Sequence, residues 1–142
     1  MRLLPPVPIF SRAIKEDSEL LGYQVPADSI AVLNIYACHR DPKNWPDPCR
    51  FDPDRFSPEE SAKRHPHAYL PFSAGMRNCI GSRYAMLAMK TVLAKLMPRY
   101  RVDAIADGHT EPADFPYACG VASRMPGGFQ VIFTPRQGNS QQ

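Results

Sequence analysis

Residues 72–81 read Phe72-Ser73-Ala74-Gly75-Met76-Arg77-Asn78-Cys79-Ile80-Gly81, and they run directly into an amphipathic pattern that lasts to Met97. The two glycines, Gly75 and Gly81, allow positive φ or a close backbone approach to a flat ligand that a side chain would block. Cys79 lies between them at the mouth of a helix. Tyr84, Leu87, Ala88, Val92 and Leu96 recur at the spacing of one helical face, and Pro98 ends the pattern. The unpaired amides of the first helical turn, with the positive end of the helix dipole, favour a thiolate over a thiol at the preceding position. A thiolate so placed is a metal ligand or a nucleophile. A lone cysteine beside glycines is otherwise most simply a small buried hydrophobe.

The neighbours of Cys79 separate these readings. Arg77 supplies a cation able to pair bidentately with a carboxylate, and Phe72 supplies an aromatic wall seven residues before the sulfur. An iron porphyrin needs this set: one axial thiolate, a flat apolar surface and cations for its propionates. Phe-x-x-Gly-x-Arg-x-Cys-x-Gly closely resembles the haem-binding signature of the cytochromes P-450, fixing five residues across ten positions. The resemblance implies haem b (iron protoporphyrin IX) with Cys79 as the thiolate axial ligand and sole metal ligand. It makes Phe72, Gly75, Arg77 and Gly81 cofactor-binding.

Working outward, sixteen prolines in 142 residues are about twice the usual share of ~5%, which favours extended segments and turns over helix in the first half. A net charge of +3, with no basic patch interleaved with aromatics, gives no reason to expect nucleic acid. Cysteines at 38, 49, 79 and 119 form no Cys-x-x-Cys pair and fit neither a zinc site nor a dense disulfide framework, so reduced thiols are expected. The apolar runs are short and broken by proline, and none is long enough to span a bilayer.

Met1-Arg2-Leu3-Leu4-Pro5-Pro6-Val7-Pro8 resembles the end of the family's Glu-x-x-Arg helix and the extended segment after it. Arg2 is then the arginine of that motif, and Val7, Pro8 and Ile9 line the substrate side of the haem. Arg12 falls where many members place a propionate-binding arginine. From the residues alone, Ser18–Val25 reads as a hairpin around Gly22 and Ser29–Ile35 as a strand. His39–Phe56 carries too many prolines for helix or central strand and must be an ordered coil whose backbone groups are satisfied by Arg, Asp and Trp45. Phe51-Asp52-Pro53-Asp54-Arg55-Phe56 resembles the family's Phe-x-Pro-Glu-Arg-Phe motif, with Asp54 where Glu is usual. In the family its arginine shares a buried carboxylate with the Glu-x-x-Arg pair. Arg2 and Arg55 are therefore expected to lack their acid, and breaking a buried pair typically costs about 3–5 kcal/mol.

His65 and His67, with Pro66 between them and no third ligand, read as a solvated loop; His39 and His109 read as surface or hydrogen-bonding residues. Arg83, Lys90 and Lys95, followed by Arg99 and Arg101, make a positive helix face, either solvated or a docking surface for an acidic reductase. Ile105–Phe115 reads as a polar loop. Ala118–Arg124 and Phe129–Thr134 flank Met125-Pro126-Gly127-Gly128, a hairpin signal.

The fold implied by the resemblance is the cytochrome P-450 fold, α+β and mainly α in the parent. Its C-terminal part is expected here: the end of a helix, a small β-sheet, an ordered coil, the haem-ligand loop, one long helix and a C-terminal β-hairpin. Residues 1–136 form that incomplete portion and residues 137–142 a disordered polar tail. The motifs His39-Arg40-Asp41-Pro42 and Ala68-Tyr69-Leu70-Pro71-Phe72 most resemble the animal and arthropod family 4 branch. The implied function is monooxygenation of a fatty acid or other lipophilic small molecule by dioxygen. Electrons would come from an NADPH-dependent reductase, on the cytosolic face of the endoplasmic reticulum membrane for the full-length parent. The chain is read as a C-terminal fragment without turnover of its own, and the alternative is a truncated haem-binding module or inert remnant.

Overall fold

The computed structural model describes residues 1–105, 118, 122–128 and 130–136. The chain divides into two units, Met1–Pro71 with Tyr117–Arg124, and Phe72–Pro116 with Met125–Gln142.

In the first unit, β1 (Ile9–Ala13) pairs antiparallel with β4 (Ile30–Asn34), from Ile9 opposite Asn34 to Ala13 opposite Ile30. Their connection carries its own hairpin, β2 (Ser18–Leu20) against β3 (Tyr23–Val25), turned by Leu21 and Gly22 at φ of 52° and 85°. Consecutive left-handed residues match the right-handed twist of paired strands, which is why the glycine falls there. Asn34 caps the short α1 (Ile35–Cys38) by accepting from the Ala37 amide at 2.9 Å.

The proline-rich coil that follows is packed around Trp45. That side chain is fully buried, with Arg2 5.0 Å above its ring and Arg64 at 4.4 Å, and with Phe56 and Tyr69 as aromatic neighbours. The coil ends in a 3₁₀ turn, Pro53–Phe56, and then α2 (Pro58–Ala62), whose cap Ser57 accepts from the Glu60 amide. A second 3₁₀ turn, Pro66–Ala68, leads to Pro71.

In the second unit a 3₁₀ turn at Gly75–Arg77 precedes α3 (Ser82–Leu96), capped by Gly81 and Met97. Arg136 donates to the carbonyls of Met97 at 2.8 Å and Tyr100 at 3.2 Å, a cation satisfying acceptors beyond the negative end of the helix. β5 (Tyr100–Ile105) pairs antiparallel with β6 (Val131–Pro135), with an irregularity between Val102 and Ala104.

Two expectations are realised differently. Met1–Leu4 forms no helical turn: the chain bends at Leu3 and Leu4, and Pro5 and Pro6 disfavour helical backbone at the residue before each of them. Gly127 and Gly128 do turn the chain, at φ of 80° and 77°, but β6 pairs with β5 and Arg124 bridges back to Ala118. The expected loop 105–115 beyond Ile105, together with His109, Cys119 and the tail 137–142, lies outside the described residues.

Candidate haem-ligand loop and its supporting coil

The loop from Phe72 to Gly81 is closed by its own backbone. The Cys79 amide donates to the Phe72 carbonyl at 2.9 Å, the Asn78 amide to the Gly75 carbonyl at 3.1 Å, and the Ser82 amide to the Cys79 carbonyl at 3.3 Å. The turn needs two left-handed residues, Gly75 at φ of 76° and Ser73 at 64°. Left-handed backbone costs a non-glycine residue roughly 1–2 kcal/mol, so Ser73 is a strained position inside the loop. Gly81 has an ordinary negative φ. Its role is as the bare cap of α3, and a Cβ there would meet only the Cys79 sulfur at 3.8 Å.

Cys79 is a free, exposed thiol. Around it the second unit presents apolar side chains outward: Met76 and Ile80 are fully exposed, Tyr84 is 79% and Leu87 66% exposed. No residue of α3 is buried. Exposed apolar side chains of this number on a helix with none buried mark a surface that another apolar body covers. Arg77 lies in the same turn and is exposed. An accessible sulfur, open space at Gly75, apolar flanks and a cation within ten residues fit an iron porphyrin with a thiolate axial ligand. Among the described residues no cluster of three or more His, Cys, Asp or Glu side chains offers an alternative metal centre. His65 and His67 are both exposed, with ring centroids 5.5 Å apart, as the loop reading requires.

The other site residues expected from sequence lie in the first unit. Arg12, on β1, donates to the Ser11 carbonyl at 3.0 Å and stacks 4.7 Å from the Phe10 ring. Val7 and Ile9 are about half exposed, whereas Pro8 is buried and its carbonyl accepts from the Tyr36 amide at 3.1 Å.

Arg2 is 5% exposed. Its guanidinium donates to the carbonyls of His39 at 3.0 Å, Pro48 at 2.6 Å and Arg50 at 2.9 Å. The proline-rich coil thus supplies carbonyls where the sequence reading asked for a carboxylate. Burial, then the cations of Arg55, Arg40 and Arg64, lower the Arg2 pKa from its usual value. Arg55 donates to the Asp47 carbonyl at 3.1 Å and has the Asp52 carboxylate at 3.8 Å, too far for a hydrogen bond. A cleft of about 350 Å³ opens beside Arg2, lined also by Phe51, Asp52, Phe56 and Tyr69.

Sequence reasoning did not single out His39. It is fully buried, and its Nε2 accepts the Leu70 amide at 2.8 Å. Of the two readings open from sequence, hydrogen bonding holds and surface exposure does not. Burial pushes the imidazole pKa down to about 4, opposed by the Arg2 backbone and reinforced by the N-terminal amine, Arg2 and Arg40. Only the Arg-Asp-Pro that follows it hinted at an ordered role.

Comparison with known proteins shows the family. The cytochrome P450 family model matches residues 1–133. Cytochrome P450 4V2 of Rattus norvegicus is 47% identical over 104 residues, covering 73% of this chain and 20% of its own length. Cytochrome P450 4c3 of Drosophila melanogaster is 40% identical over 136 residues, covering 96% and 25% respectively. Among solved structures, a retinoic acid-bound cyanobacterial CYP120A1 superimposes with a TM-score of 0.82 at 29% identity, covering 95% of this chain and 30% of that one. The chain therefore spans about a fifth to a quarter of the length of the curated relatives it matches. With the motif order of the sequence, the loop geometry and this match in agreement, the chain belongs to the cytochrome P450 family.

Proposed function

We propose that this chain supplies the thiolate-ligand side of a haem monooxygenase, with Cys79 as the axial ligand. The observation that carries the reading is the exposed Cys79 thiol on a closed loop flanked by exposed apolar side chains, in a member of the cytochrome P450 family. Iron protoporphyrin IX, when bound through a thiolate, supplies reductive activation of dioxygen for insertion of one oxygen atom into a C–H bond.

The chain's own residues do the rest. Gly75 and the bare Gly81 cap would leave space for a flat macrocycle beside the sulfur, Phe72 would border it, and Arg77 would hold a propionate. A charge-assisted bond of that kind contributes about 1.5–3 kcal/mol. Arg12 is the candidate for a second propionate, and Val7 and Ile9 are the candidates for substrate contact; Pro8 shapes that segment from its buried position. Arg2 and Arg55 order the coil. We read residues 1–136 as part of one cytochrome P450 domain, in keeping with the family match over residues 1–133.

A lipophilic substrate is the reading we favour, a fatty acid by the resemblance to family 4, and the solved structure of similar fold is described as retinoic acid-bound. The exposed cations Arg83, Lys90 and Lys95 on α3 suit an acidic electron donor, taken here to be the NADPH-dependent reductase of the endoplasmic reticulum membrane. Among the described residues no helix is long and apolar enough to cross a membrane.

The test is to add haemin to the chain, reduce it, and record the visible spectrum with and without carbon monoxide, beside Cys79→Ala. A red-shifted thiolate-type carbonyl band that vanishes in the variant is expected. No such band, or the same band in both proteins, overturns Cys79 as the ligand in this chain.

A further inference from the structure

The stem that feeds the cysteine loop is held from one side by three side chains the haem reading does not use. The Cys38 thiol lies 3.7 Å from the His67 carbonyl and 3.9 Å from the Ala68 carbonyl. Trp45, fully buried, donates Nε1–H to the Ala68 carbonyl at 3.3 Å. His39, also fully buried, accepts the Leu70 amide at Nε2 at 2.8 Å. Each spends its polar atom on backbone between residues 67 and 70, and Phe72, two residues further on, provides the carbonyl that receives the Cys79 amide.

Of these contacts only the one that His39 accepts from the Leu70 amide depends on which ring nitrogen carries the proton. An Nε2 that accepts cannot carry a proton, so the ring proton sits on Nδ1, which makes no well-formed hydrogen bond. The ring is fixed against Tyr69, with centroids 5.1 Å apart, and the cations of Arg2 and Arg40 act on it electrostatically. This is the arrangement by which a buried histidine is kept neutral and used as an acceptor.

We infer that His39 is a positioning residue for the segment that leads into the cysteine loop: its neutral imidazole fixes the Leu70 amide, two residues before Phe72. The inference rests on Cys79 being the haem ligand only for its spectroscopic consequence. Its structural half stands on the His39 to Leu70 bond alone.

The experiment compares the full chain with His39→Leu and His39→Gln. Leucine keeps bulk and removes the acceptor, whereas the Gln amide oxygen reaches about where Nε2 lies and restores it. Amide exchange at Leu70 should accelerate about tenfold or more in His39→Leu, the loss of one buried hydrogen bond, and stay near wild type in His39→Gln. In the haem-loaded, reduced, carbon monoxide-bound protein, the thiolate-type fraction should fall severalfold in His39→Leu and recover in His39→Gln. Wild-type exchange and spectrum in His39→Leu overturn the inference, as does a His39→Gln variant that behaves like the leucine one. If His39→Leu does not fold, His39→Gln decides: wild-type values support the acceptor role, and loss of either overturns it. A wild-type chain with no thiolate band refutes the haem reading instead, and the exchange comparison then settles whether His39 holds the stem.

Discussion

The coil around Trp45 and the helix after Cys79 handle apolar surface in opposite ways. In the first, the tryptophan is fully buried beneath two guanidinium groups and two aromatic rings, and the polar backbone around it is bonded by Arg2 and His39. In the second, fifteen helical residues include none that is buried, and Tyr84, Leu87, Val92 and Leu93 are each more than half exposed. An irregular segment can thus be the better ordered one when its side chains close on each other. A regular helix of about 12–15 residues is marginal when its apolar stripe has no partner. The contrast predicts that stability in this chain follows side-chain closure rather than secondary structure.

The sharpest way to break the contrast is to empty the coil's centre. Trp45→Ala should destabilise the first unit by about 3–5 kcal/mol, the cost of deleting a buried aromatic. Denaturation followed by circular dichroism and tyrosine fluorescence checks it, and a loss below about 1 kcal/mol would show that the coil does not depend on this core. The wild-type chain has one tryptophan, so its fluorescence reports on the first unit.

Acid should reach the same unit next. His39 has a folded pKa of about 4 against an ordinary value near 6.5, so the unfolded chain takes up this proton first. Its stabilising contribution is complete above about pH 6.5 and is lost as the pH falls towards 4, about 3 kcal/mol in all. The urea midpoint, read by tryptophan fluorescence between pH 7 and 4, should fall in wild type and stay flatter in His39→Gln.

The smallest effect is expected on α3. Leu87→Lys replaces a side chain that is already 66% exposed, so the stability of the chain should change by less than about 0.5 kcal/mol. A loss above about 1 kcal/mol by thermal denaturation would mean that the stripe is covered in solution and would erase the contrast.

Local chemistry was legible in the sequence. The glycine spacing and Pro98 located the loop and the helix to within a residue or two, because turns and helix ends are encoded by the residues that form them. Gly22 marked the β2–β3 hairpin for the same reason. Non-local consequences were not legible. The β5–β6 pairing joins segments about thirty residues apart, and the adjacent Gly127-Gly128 turn suggested a nearer partner. The hydrogen-bond partner of His39 is Leu70, thirty-one residues away, and the Arg-Asp-Pro after position 39 hints at order without naming that partner. The amphipathic stripe of α3 was read correctly as a face, but periodicity reports that a surface is apolar, not what lies against it.

Arg2 acts as a non-covalent cross-link. Its three hydrogen bonds join residue 2 to partners 37, 46 and 48 positions along the chain. Loop-closure entropy grows only logarithmically, so doubling such a loop costs about 0.6 kcal/mol. The β2–β3 hairpin lies inside every one of these loops, and its tip is solvent-facing, with Leu21 99% exposed. That tip is therefore a place where the loops closed by Arg2 can accept a peptide tag or a longer natural loop at almost no thermodynamic penalty.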